Sequence, residues 1–185
     1  MIGANLLPEF DLEMANTRRT LERVPDEKLT FKPHEKSFSL LQLAGHLSNI
    51  PSWAPMILTQ DGIDMSGPFE REEPTNVAEV LADFDKNVEA ARAILEAATA
   101  EDMDSPWTLK QDGEEVFTMR KGSTFRLWVL NHTVHHRAQL TVYLRLLDLP
   151  VRLVFGVGTI TPVRRLVSAG VLLGFAGVFF WLIWG

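Results

Sequence analysis

The sequence predicts an all-α protein: a four-helix bundle with long crossover connections, a small hairpin before the fourth helix and an apolar helix at the C-terminus. Three observations predict it. Apolar residues recur at steps of three and four in four separate stretches. One short segment, around Asp112-Gly113, alternates in the manner of a strand pair. Residues 166–184 form a 19-residue run without a charge.

In the first stretch Leu7, Phe10, Met14, Thr17, Leu21 and Val24 share one helical face, and Pro25 ends the helix because proline disfavours helical geometry in its predecessor. Residues 26–38 read as a polar loop. Ser39 and Gln42 then form a capping box, in which each side chain bonds the other's backbone N–H. The helix they open carries Leu43, Leu47, Ile50, Ala54 and Ile57 on its apolar side, with His46 on the same side. Pro51 frees the carbonyl of Leu47, which predicts a kink one turn after His46. Residues 60–74 read as loop. Asn76 with Glu79 opens the third helix, whose stripe is Val77, Leu81, Phe84, Val88, Ala91 and Leu95. The Asp112-Gly113 turn predicts the hairpin. Ser123 or Thr124 is the expected cap of the fourth helix, along which Phe125, Trp128, His132, His136, Gln139, Tyr143 and Leu147 follow one another. Four such helices bury their stripes most simply against one another.

Composition narrows the function classes. At 185 residues the chain fits one domain of residues 1–151 followed by an apolar tail of residues 152–185. It has no cysteine, so disulfides and thiolate metal sites are excluded, and any metal must use His, Asp or Glu. All 24 acidic residues precede Val151, whereas Arg152, Arg164 and Arg165 are the only basic residues beyond it. The acidic body lacks the cationic stripe that phosphate contacts require, so no nucleic-acid partner is expected. MIGANLLPEFD lacks a charged start and a long apolar run, so no signal peptide is expected.

Three of the five histidines lie in NHTVHHRAQL, residues 131–140. His132 and His136 are one helical turn apart and can grip one ion from a single face. The spacing is that of the zincin helix, but Thr133 stands where the zincin glutamate would be. His46 is the candidate third ligand, while His34 in KPHEK is expected to be solvated. Three neutral imidazoles leave a dication its full charge and an open position, the pattern of reactive zinc sites. Nitrogen ligands suit zinc, nickel, iron and copper alike. Each residue also has a plainer reading: an inward His46 is an ordinary core histidine, and a lone HxxxH pair is a weak signal. His135 shares a face with His132 and can replace His136, or can support the site from behind. Arg137 should turn away from a cation, toward a carboxylate or a substrate anion. Gln139 is placed to hold a ligand ring or to pack as an amide, and Trp128 and Tyr143 read as core. No general base is assigned; Glu9, Asp11 and Glu13, or Glu70, Glu72 and Glu73, serve only if the fold brings them near.

FKPHEKSFSLLQLAGHLSNIPSW, followed far downstream by FTMRKGSTFRLWVLNHTVHHRAQLTVYLRLLDLPV, resembles the DinB-like (DinB/YfiT) family from about residue 9 to residue 151. The resemblance implies a four-helix bundle with a three-histidine metal site falling on His46, His132 and His136. It implies a divalent metal, zinc or nickel, with water in the remaining positions. It further implies a small-molecule substrate and homodimers, with activity as a metal-dependent hydrolase or as a transferase using a low-molecular-weight thiol. The alternative is a non-catalytic metal-binding module of a stress response. Ala138 departs from the family's usual glycine after HHR, and the ending departs further, since a short polar finish is replaced by RLVFGVGTITPVRR and the apolar run.

That run is roughly 28 Å long as a helix, close to the thickness of a bilayer core. Two arginines precede it, and Trp181 and Trp184 stand near its far end. It reads as a membrane anchor on a cytoplasmic domain, or as the product of an altered reading frame.

Overall fold

The computed structural model describes residues 2–67, 72–152 and 159–160. It is mostly helical, and its first helix, α1, spans Ile2–Leu21. Phe10, Met14, Thr17 and Leu21 of the expected stripe are buried, with Val24 just beyond the helix. Leu6 is buried where Leu7 was expected, and Leu7 is half-buried. A 3₁₀ turn at Asp26–Lys28 follows. The Asp26 carboxylate accepts the backbone N–H of Val77 at 2.9 Å, so this loop caps a helix fifty residues away.

Helix α2, Leu40–Asn49, starts at the expected capping box: Ser39 Oγ accepts from Gln42 N at 3.1 Å, and Gln42 Oε1 accepts from Ser39 N at 2.8 Å. The proline break is a 3₁₀ turn at Ile50–Ser52, after which α3 runs Trp53–Thr59. Within the stretch expected to be loop, residues Gly62–Asp64 instead form a strand, β1. Helix α4 spans Val77–Ala97, and its Asn76 cap accepts from Glu79 N at 2.9 Å. A short α5, Ala100–Asp104, has its own capping box from Thr99 and Asp102. The hairpin forms as expected, from β2, Pro106–Gln111, and β3, Glu114–Arg120. Asp112 and Gly113 both have positive φ, 53° and 81°, the two-residue turn that matches strand twist.

β1 pairs in parallel with β2, so the hairpin is widened to a three-stranded sheet in the order β1-β2-β3. Gly62 is where this happens: a Cβ there would collide with the backbone of Thr108. Alternation over three residues is too short a signal to mark a strand, and its partner lies 46 residues downstream.

The last long helical segment begins at Lys121, not at Ser123 or Thr124. It comprises α6, Lys121–Phe125, a π-helical stretch, Arg126–Asn131, and α7, His132–Leu146. Arg120 is the flanking residue and offers no side-chain cap, because β3 runs directly into the helix. The Thr124 hydroxyl donates back to the Arg120 carbonyl at 3.1 Å. The buried face runs through Phe125, Val129, Thr133, Arg137, Leu140 and Leu144. Three successive steps of four drift by about 40° each on a regular α-helix. The wider i→i+5 turn absorbs that drift. The histidine stripe consequently stands on the flank of α7 rather than at its centre.

α1 packs against α4 and α7, and α2 packs against the same two helices. One core, including Phe10, Leu43, Leu47, Phe84, Leu95, Phe125 and Leu140, fills the space between them. Arg92–Asp11 and Arg18–Asp85 tie α1 to α4 at the surface. After α7 the chain turns through Asp148, and Val151–Arg152 pairs with Thr159–Ile160 as β4 and β5. Among the described residues no helix is long and apolar enough to cross a membrane. The expected apolar helix of residues 166–184 and the candidate base Glu70 lie outside the described residues.

Candidate metal centre

Two rigid supports carry the site. α2, fixed by its capping box, presents His46, and α7 presents His132 and His136 one turn apart. Their Nε2 atoms converge. His46 Nε2 lies 3.2 Å from His132 Nε2, and His132 Nε2 lies 2.8 Å from His136 Nε2. Among the described residues these three side chains form the group suited to a metal ion, each half-buried, with ligand atoms all within 4.8 Å of one another.

A neutral imidazole carries one N–H, so three clustered Nε2 atoms cannot all be satisfied by bonding one another. An ion about 2.0–2.1 Å from each nitrogen sets N···N separations near 3.3 Å at tetrahedral angles and near 2.9 Å at right angles. The observed 2.8 and 3.2 Å fit such a grip.

The ring tautomers are set from behind. His136 Nδ1 lies 2.7 Å from Gln139 Oε1, which can only accept, so this nitrogen carries the proton and Nε2 keeps its lone pair. Gln139 Nε2 in turn lies 3.1 Å from His135 Nε2, which accepts from it. For His132, the backbone of Trp128 favours the protonated ring. The backbone N–H of His132 bonds Val129. Burial, then the neighbouring His136 and His135, lowers the pKa of His132, and the Trp128 bond opposes this. Burial also lowers that of His136, with Gln139 opposing and His135 adding to the shift. Both rings are therefore neutral at pH 7, the form that binds metal.

Aromatic side chains surround the rings. Trp53 stands 5.2 Å from His132 and 6.0 Å from His46, centroid to centroid. Phe38 lies 6.0 Å from His46. Trp128 packs on Trp53 at 5.9 Å and stacks on Phe117 at 6.2 Å. Trp53 was absent from the sequence expectations, although it lies seven residues after His46, two helical turns along the same face.

Other expected residues fall elsewhere. His135 is exposed, and its ring, 4.9 Å from that of His136, supports Gln139 rather than joining the three. His34 is exposed, and its Nδ1 accepts the backbone N–H of Lys36 at 3.1 Å. Arg137 is buried and turned away from the histidines; it pairs with Glu13 at 2.5 Å and donates to the Glu13 carbonyl and Thr17 Oγ1. One residue from His136 on a helix is a rotation of about 100°, which carries Arg137 to the α1 side of α7. The carboxylates of α1 are likewise engaged, Glu9 with Arg126, Asp11 with Arg92 and Glu13 with Arg137, so none of them is a base at the histidines.

A cleft of about 400 Å³ opens beside His136, lined by Lys36, Ser37, Phe38, Gln139, Val142 and Tyr143. Tyr143 packs in the core yet reaches this wall, its hydroxyl donating to the Phe38 carbonyl at 3.2 Å.

The sequence profile of the DinB superfamily matches residues 9–140. Among solved structures, a DinB-like protein from Bacillus subtilis is 23% identical, with a TM-score of 0.61 over 77% of this chain and 91% of its own. A DinB-like protein from Bacillus cereus is 24% identical, with a TM-score of 0.61 over 81% of this chain and 95% of its own. At that identity the two structures speak to the fold. No functionally curated protein matches the chain. The chain belongs to the DinB superfamily.

Proposed function

We propose that this member of the DinB superfamily holds one divalent metal ion, zinc or nickel, on His46, His132 and His136, and acts on a small molecule as a metal-dependent hydrolase or as a thiol S-transferase. The observation that carries the reading is the convergence of three Nε2 atoms from two helices next to an open cleft. A bound ion there supplies Lewis acidity, which lowers the pKa of a water or thiol enough to give a nucleophile near pH 7. The chain's own part is to hold the ligands. Gln139 keeps the His136 ring in the metal-binding tautomer, and Trp53 and Phe38 limit water on the α2 side. The four packed helices are read as a four-helix bundle, with the ligands on facing members.

The cleft favours this reading over a non-catalytic metal-binding module, which needs a closed shell and no space for a small molecule. The test is elemental analysis of purified protein beside His46→Ala and His132→Ala. The reading predicts close to one equivalent of metal in the wild type and loss in both variants; unchanged metal content in either variant contradicts it.

A further inference from the structure

We infer that the cleft beside His136 is a binding site for a small amphipathic organic anion, with Lys36 as the residue that recognises its charged group. Three observations meet here. The chain carries a net charge of −6, yet the cleft lining holds one lysine and no Asp or Glu. Glu35, next to Lys36, is not part of the lining. Lys36 makes no ion pair among the described residues. A cation without an acidic partner at the mouth of an acid-free cleft selects anions, and low-dielectric walls strengthen its field.

The second observation is apolar. Phe38 and Val142 are among the large hydrophobic side chains left exposed, at 49% and 50%, and both line this cleft. Exposed apolar surface gathered in a concave site marks ligand contact. The volume, about 400 Å³, falls in the range of small-molecule pockets.

The third is rigidity. The wall carrying Lys36 and Phe38 is stapled from several sides. Lys36 N donates to His34 Nδ1, Ser37 N to the His34 carbonyl, and Tyr143 to the Phe38 carbonyl. Farther along, Leu40 N donates to the Phe31 carbonyl and Leu41 N to that of Leu29. A preformed wall holds the cation and the apolar surface in register without an ordering cost on binding. The ligand that satisfies all of this has an anionic head on Lys36 and a short apolar body against Phe38 and Val142. Its second polar group points toward His136, and this last contact rests on the metal-centre reading above.

The test uses full-length protein, zinc-treated and chelator-treated, with 4-phenylbutyrate and its neutral amide as probes in calorimetric titration. The acid should bind more tightly than the amide. Lys36→Gln should weaken the acid about fivefold, the size of a partly solvated ion pair, and leave the amide unchanged. Val142→Ser should weaken both. The acid-over-amide preference should persist after chelation, so failure of the metal centre is read separately from failure of this site. Equal affinity for acid and amide, an acid affinity unchanged in Lys36→Gln, or no binding of the acid overturns the proposal.

Discussion

At the scale of single residues, Gln139 sets which nitrogen of His136 faces the other two rings. Its carbonyl oxygen can only accept, so it fixes the proton on Nδ1 and leaves Nε2 free. Gln139→Leu should lower metal affinity about tenfold or more, measured by chelator competition, with the fold intact because Gln139 is exposed. An unchanged affinity would show that the ring holds its orientation without the amide.

The two α7 histidines also set a pH dependence. Their pKa values are lowered in the folded protein, chiefly by burial. The unfolded chain therefore binds more protons than the folded one as pH falls through the ordinary imidazole value of about 6.5. Stability of the metal-free protein is present above that pH and declines as pH falls toward the lowered folded values. Denaturant titrations across pH 5–8 should show this slope, and His132→Ala should flatten it. A slope of opposite sign would contradict the burial argument.

The histidine grouping was only partly legible at this scale: helical spacing put His132 with His136 and turned His46 inward, the polar KPHEK loop set His34 aside, and His135 stayed open beside His136 until folding brought His46, His132 and His136 together. The base was not legible, because Glu9, Asp11 and Glu13 are each committed to an arginine brought near only by folding.

At the scale of elements, α7 is held against α1 by a buried charge. Arg137 binds Glu13 and Thr17 with its side chain 4% exposed, while the Glu13 side chain is 15% exposed. Arg137→Ala leaves the Glu13 carboxylate largely buried and unpaired, and should cost about 3 kcal/mol in denaturant unfolding. Replacing both, Arg137→Met with Glu13→Leu, should recover most of the loss. Equal destabilisation by the single and double variants would assign the effect to packing. On α2, Ser39→Ala removes one half of a formed capping box and should cost about 1 kcal/mol.

Sequence signals at this scale worked where they were local. The capping box at Ser39, the cap at Asn76, the break at Pro51 and the Asp112-Gly113 turn all rest on contacts within a few residues. β1 was missed because its support is remote: three residues gain strand geometry only by pairing with β2. The π stretch was missed because a stripe at steps of three and four looks the same until the core selects between neighbouring faces. Val129 and Leu130 are both buried, which the wider turn permits and the sequence stripe through Trp128 did not anticipate.

At the scale of the whole molecule, the site joins α2 to α7, segments 86 residues apart at His46 and His132. A ligand that grips both binds the folded state and not the unfolded chain. Zinc at a hundred times its dissociation constant should therefore stabilise the fold by about 2.7 kcal/mol. The midpoint of thermal unfolding should rise with zinc and fall back on chelation, and neither change should appear in His46→Ala.

In the proposed centre three imidazoles share one ion and leave part of its coordination open. X-ray absorption at the metal edge of the loaded protein measures this most directly. The prediction is three imidazole shells at about 2.0–2.1 Å with the remaining scatterers being exchangeable light atoms. A shell closed by four protein ligands, or one with fewer than three imidazoles, would contradict it.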